Sequence, residues 1–221
     1  TILGDKIARL IGAGPGEVIA CDSTSVNLFK VLSAALSRSA GRNVILSDRA
    51  NFPTDLYIAD GVISTMERDV ELRLVSSEEL EGQIDSSVAV LFLTHVDFRY
   101  GARYDMKHIT KLAHDVGALV IWDLAHSAGA MPVDLNACEV DFAVGCGYKY
   151  LNGGPGAPAY VYVAQALQAD VCSPLTGWMG HTSPFDFSTR YSRAVGIRQM
   201  LCGSPPILSM VALEVGVDLL L

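Results

Sequence analysis

Runs of uninterrupted apolar residues, spaced along the chain with helix-like segments between them, constrain its fold more than any other feature. Ser87–Thr94 reads SVAVLFLT, Leu119–Trp122 reads LVIW, Phe142–Val144 reads FAV and Ala159–Val163 reads AYVYV. Strands that are apolar on every residue, not on alternate ones, must be covered on both faces, the situation of a parallel sheet between helical layers. Shorter strands are expected at Val18–Cys21, Asn43–Leu46 and Leu72–Val75. Between them, helical spacing predicts helices over Ser25–Ser37, Pro53–Ala59 with proline in its first turn, Ser77–Ile84, and Met106–Val116 ended by Gly117. The fold class is therefore α/β: a mostly parallel sheet of about seven strands covered by helices on both faces, a three-layer αβα arrangement. From Cys172 the rhythm gives way to a Gly/Pro/Ser-rich region up to Pro205-Pro206, after which a last helix begins.

Composition narrows what such a sheet serves. Half of the 221 residues are apolar, enough for a large core without disulfides or metal. The net charge of −8 disfavours nucleic acid, whose phosphates need a basic face. No segment has the length and apolarity of a membrane helix. Cys21, Cys138, Cys146, Cys172 and Cys202 are scattered, odd in number and without a C-x-x-C pair, which disfavours zinc and a disulfide framework and suits a reducing cytoplasm. The five histidines lack metal-ligand spacing. The chain opens directly into an amphipathic pattern (Ile2, Leu3, Ile7, Leu10, Ile11) and stops in an apolar one at Leu219-Leu220-Leu221, so it reads as an internal piece of a longer protein.

In sheets of this kind ligands bind beyond the carboxyl ends of the strands. Two such ends carry chemistry. Leu119–Trp122 runs into Asp123 and, three residues on, His126; the next strand runs into Gly147-Tyr148-Lys149, followed by the turn Gly153-Gly154-Pro155-Gly156. An acid after one buried strand and a lysine after the next is what a pyridoxal phosphate site needs: the lysine forms the Schiff base and the acid partners the pyridinium nitrogen. Taken singly, Asp123 is equally a helix cap, His126 a satisfied core group and Lys149 a snorkelling surface residue. Asp22-Ser23-Thr24-Ser25-Val26-Asn27 opens a helix, where N–H groups and hydroxyls form either a phosphate cradle or a plain cap. Phe52, in Asn51-Phe52-Pro53-Thr54-Asp55, is placed to cover a pyridine ring or to pack in the core. Gly12-Ala13-Gly14-Pro15-Gly16-Glu17 follows a helix and precedes a strand, the wrong order for a dinucleotide fingerprint.

Together these segments resemble the kynureninases, pyridoxal phosphate enzymes of fold type I. The resemblance lies in Trp122-Asp123-Leu124-Ala125-His126-Ser127-Ala128-Gly129 and in Gly147–Gly156. It extends to Thr24–Leu28, Phe52–Asp55, Gly177-Trp178-Met179-Gly180-His181 and Ser204-Pro205-Pro206-Ile207. It implies hydrolytic cleavage of L-kynurenine, or its 3-hydroxy analogue, to anthranilate and L-alanine in tryptophan catabolism and NAD precursor synthesis. It implies that Lys149 carries pyridoxal 5′-phosphate, that Asp123 with His126 holds the ring nitrogen, and that Tyr148 serves as an acid. Thr24, Ser25 and Tyr148 would bind phosphate, Phe52 would stack on the ring beside Pro53 and Thr54, and Asp55 and Thr94 would complete the shell. Trp178 and Ser204 would reach the cofactor of a neighbouring subunit in a homodimer; Ser204 departs from the Thr or Asn expected there. Residues 1–203 would form the cofactor-binding large domain, and 204–221 would begin the helix toward a C-terminal small domain. That small domain carries the arginine for the substrate carboxylate, matched by neither Arg193 nor Arg198. The rivals are another fold type I activity, such as a cysteine desulfurase or class V aminotransferase, or a non-catalytic scaffold.

Overall fold

A computed structural model describes residues 2–39 and 41–221; the first residue of the expected large domain, Thr1, lies outside the described residues. The sheet has seven strands: β1 (Val18–Ala20), β2 (Val44–Asp48), β3 (Glu71–Val75), β4 (Val88–Thr94), β5 (Leu119–Asp123), β6 (Phe142–Cys146) and β7 (Ala159–Val163). Their order across the sheet is β1-β7-β6-β5-β4-β2-β3. β7 alone is reversed, lying antiparallel to both β6 and β1; the other pairings are parallel. The mostly parallel sheet expected from the apolar runs is thus present, and six strands point their carboxyl ends to one edge.

Helices α1 (Ile2–Leu10), α4 (Met106–Asp115) and α5 (Ile207–Asp218) cover one face, where Leu91, Leu93, Val120 and Trp122 point. Helices α2 (Thr24–Arg38) and α3 (Pro53–Ile63) cover the other, packing on Val90, Phe92 and Ile121. Alternate residues of one strand therefore enter two separate cores, which is why β4 is apolar from Val88 to Leu93. The indole nitrogen of Trp122, buried in β5, donates to Thr110 Oγ1 on α4 at 3.1 Å. Burying each such side chain contributes roughly 1.5–3 kcal/mol.

Sequence and structure differ over Ser77–Ile84. The expected helix is reduced to turns and a single 3-10 turn at Glu81–Gln83. Leu80 alone among these residues is buried, and Gly82 sits mid-segment, so an α-helix there has neither an apolar stripe nor a good propensity to sustain it.

Two loops at the carboxyl edge meet through a glycine. Gly129 has φ +80°, and a β-carbon there would lie 2.5 Å from the Tyr150 carbonyl oxygen, next to Lys149. Gly129→Ala is expected to lower unfolding stability by about 2–4 kcal/mol, combining left-handed strain with a clash against backbone. Gly61→Ala, in an exposed turn of α3 with open space around it, is expected to raise stability by up to about 1 kcal/mol. Urea denaturation of the two variants checks both signs.

Candidate active site

The parallel register builds the site. Thr94 pairs with Asp123 across β4 and β5, and Asp123 with Val144 across β5 and β6. One turn beyond β6 stands Lys149, in a loop closed by the Gly153 N–H donating to the Gly147 carbonyl at 2.9 Å. That loop packs tightly: a β-carbon on Gly147 would fall 2.4 Å from the Pro158 carbonyl oxygen. The Lys149 ammonium lies 2.8 Å from His126 Nε2 and 5.7 Å from the centres of the Phe52 and Tyr148 rings. The expected lysine, histidine, phenylalanine and tyrosine therefore converge, although they come from three separate loops.

Asp123 is buried, 2% exposed, and its Oδ1 accepts the Ala125 N–H at 2.7 Å. Asp55, on the first turn of α3, is buried beside it and lies 3.5 Å from the Thr94 hydroxyl. Two carboxyl groups so close cannot both ionise in a dry site. Burial, and then the charge of Asp123, push Asp55 up to about 9. Burial also raises Asp123, but the Ala125 N–H and the Lys149 charge favour its ionised form. The shared proton therefore resides on Asp55, and Asp123 is the carboxylate. Burial, and then Lys149, lower His126, so its ring is neutral. With Lys149 donating to Nε2, the ring proton sits on Nδ1, which is buried near the Val96 backbone and, among the described residues, has no hydrogen-bond partner of good geometry.

These groups fit a pyridoxal ring. A buried carboxylate without a cation in hydrogen-bonding reach, a neutral imidazole with a free donor, an amine and a facing phenyl ring are the donor set that a protonated pyridine aldehyde requires. Burial, and then contact with Cys146, raise Tyr148, which stays a phenol at neutral pH.

Thr24 and Ser25 form the first turn of α2, behind the N-cap Ser23, whose hydroxyl accepts the Val26 N–H at 3.3 Å. Because β1 runs in the same direction as β6, this helix start lies at the edge that carries Lys149. Pro53 and Thr54 begin α3 after β2. Trp178 stands apart from this cluster: 40% exposed, it packs against Phe185 and Phe187. Ser204 is exposed, and its loop joins that of Trp178 through the Met179 N–H donating to the Cys202 carbonyl at 3.2 Å. The Gly12–Glu17 loop is occupied by the chain's own acids: the buried Glu17 carboxylate accepts the Gly14 N–H at 2.6 Å, and Asp5 accepts the Gly16 N–H at 2.9 Å.

Sequence reasoning missed Asn51. Its buried amide oxygen accepts both the Thr94 hydroxyl and the Phe52 N–H, and its nitrogen donates to Ser47 Oγ at 3.1 Å. Phe52 and Thr94 thus take their orientation from one side chain. The only signal was an asparagine three residues past the end of β2, in a turn where such residues are ordinary. Among the described residues, no cluster of His, Cys, Asp or Glu could hold a metal, no helix is long and apolar enough to cross a membrane, and the five cysteines are free.

Because the raised Asp55 is an acid that binds its proton more tightly when folded, cofactor-free stability should decline as pH rises from about 4 to about 9. Asp55→Asn should flatten that decline. Urea midpoints of both proteins between pH 5 and pH 9 test it, and an unchanged slope would place the proton elsewhere.

Residues 4–220 match the family model for aminotransferase class-V. Kynureninase from Pseudomonas fluorescens is 52% identical over 98% of this chain and 53% of the relative, and that of Burkholderia pseudomallei (strain 1106a) is 50% identical over the same shares. The chain spans about half the length of these curated relatives. Among solved structures, the cysteine desulfurase of Thermococcus onnurineus NA1 superposes with a TM-score of 0.83 at 21% identity, covering 99% of this chain and 55% of that one. A C-DES mutant carrying glycine covalently linked to its PLP cofactor gives 0.83 at 16% identity, over 98% and 58%. These two likenesses concern the fold; the family model, matching nearly every residue, makes the chain a member of the class-V aminotransferase family.

Proposed function

We propose that the protein cleaves L-kynurenine hydrolytically to anthranilate and L-alanine, acting in tryptophan catabolism and NAD precursor synthesis, with pyridoxal 5′-phosphate held on Lys149. The observation that carries this reading is the Lys149 ammonium beside His126 and facing Phe52, at the edge that holds buried Asp123, in a chain half identical to kynureninases. Pyridoxal phosphate, when bound, supplies a protonated ring that withdraws electrons from the α-carbon of an amino acid. Asp123 keeps that ring nitrogen charged, because Asp55 carries the pair's proton. His126 orients the ring edge, and Phe52 excludes water from its face. The N–H groups and hydroxyls of Thr24 and Ser25, with the Tyr148 phenol, hold the phosphate. Lys149 would move the proton at the substrate α-carbon, and Tyr148 would be the acid for the later transfer.

Residues 1–203 would constitute the cofactor domain and 204–221 the entry to a small domain that supplies the substrate-carboxylate arginine. Exposed Trp178 and Ser204 would complete the partner's site in a cytoplasmic homodimer. One observation favours a second reading, cysteine desulfuration. Sequence neighbours give Cys172 no cation, but the fold brings Arg193 Nη1 to 2.7 Å from its exposed sulfur.

In the full protein, Lys149→Ala is expected to abolish the imine absorbance and lower turnover by roughly 10²–10⁴-fold. Anthranilate fluorescence from kynurenine is the expected activity. Alanine and sulfide from cysteine, with no anthranilate from kynurenine, would replace this reading with the desulfurase one.

A further inference from the structure

Lys30 is a fully buried lysine that the chemistry above does not use. It sits on α2, less than two turns from Thr24 and Ser25, and its ammonium makes two bonds: an ion pair with Asp22, and a 2.7 Å hydrogen bond to the Met200 carbonyl. Burying an ammonium costs several kcal/mol even when paired, and an apolar side chain would fill the same space more cheaply. The pair therefore calls for a reason in what it holds.

Asp22 occupies a left-handed turn, φ +50°, directly before the N-cap Ser23. Its carbonyl accepts the Ala159 N–H at 2.9 Å, so its backbone is anchored to the sheet while its side chain is held by Lys30. An aspartate in that place has two alternatives, both adverse to an anion. It is among the strongest acceptors for the free N–H groups of a helix start, and unneutralised its charge repels a phosphate docking there. Lys30 prevents both by drawing the carboxylate aside and cancelling its charge. The second bond reaches Met200, at the end of the 3-10 turn Gly196–Met200, from which the chain continues through Cys202 to Ser204. Gly177, beside Trp178, packs on the backbone of that same Cys202, where a β-carbon would fall 2.4 Å from the carbonyl oxygen.

We propose that Lys30 is a positioning residue: it withholds Asp22 from the start of α2, leaving the N–H groups and hydroxyls of Thr24 and Ser25 to a phosphate, and it ties that cradle to the loops bearing Trp178 and Ser204. The inference rests on the reading of Thr24-Ser25 as the seat of the cofactor phosphate.

The test compares pyridoxal 5′-phosphate with pyridoxal, which lacks the phosphate, by imine absorbance titration of the full protein. Lys30→Met should weaken pyridoxal phosphate by about tenfold or more, the loss of one hydrogen bond to a charged group, while pyridoxal changes little. Lys30→Met with Asp22→Asn removes the stranded charge and should restore the affinity ratio. Lys30→Gln, which retains a donor but not the charge, should give a smaller fall in the ratio in the same direction and serves where Lys30→Met does not fold. A parallel loss of both affinities, or no change in the ratio while Thr24→Ala/Ser25→Ala lowers it, overturns the role of Lys30 alone. An unchanged ratio in Thr24→Ala/Ser25→Ala overturns the phosphate reading beneath it.

Discussion

The in-register pairing of β4, β5 and β6 sets Thr94, Asp123 and Val144 on a single rung, and the remainder of the site is arranged around that rung. Each of these strands is buried on both faces, so no polar chemistry can sit along its length. What polar groups the strands carry are confined to their carboxyl ends, and the common direction of six strands gathers those ends on one edge. Lys149, His126 and Phe52 meet there because their strands are held parallel, though nearly a hundred residues separate the first from the last.

Burial then assigns the charges. Asp55 and Asp123 would each ionise near pH 4 in water. Packed together, they hold a proton between them, and the Ala125 N–H and the hydrogen bond from Asp55, both received by Asp123, keep Asp123 the ionised one. The neutral His126 follows from the same dry surroundings. A positively charged heteroaromatic ring is the ligand that would satisfy this arrangement, and the ordered donors would be in place before it arrives.

Much of this was legible without coordinates. The apolar runs yielded the strands to within a few residues, and the glycines and prolines marked the turns between them. Where a segment lacked a buried stripe, as in Ser77–Ile84, acidic composition alone suggested a helix that packing does not support. The site residues at strand ends were also legible, since Asp123, Lys149 and Phe52 each follow an apolar run. Asn51 and Lys30 were not. Asn51 looks like any turn residue, and Lys30 lies in a helix whose pattern gives no sign that a charged group points inward.

The sequence by itself determined a double-faced parallel sheet and the chemical types available at its edge, because hydrophobic periodicity and strand-end polarity are local properties of the chain. Tertiary structure alone decided which groups touch. It reversed β7, closed the Lys149 loop onto Gly147 and Gly129, paired Asp55 with Asp123, and buried Lys30 against Asp22 and Met200. Those outcomes depend on register and desolvation across residues far apart in the chain, and no local pattern encodes them.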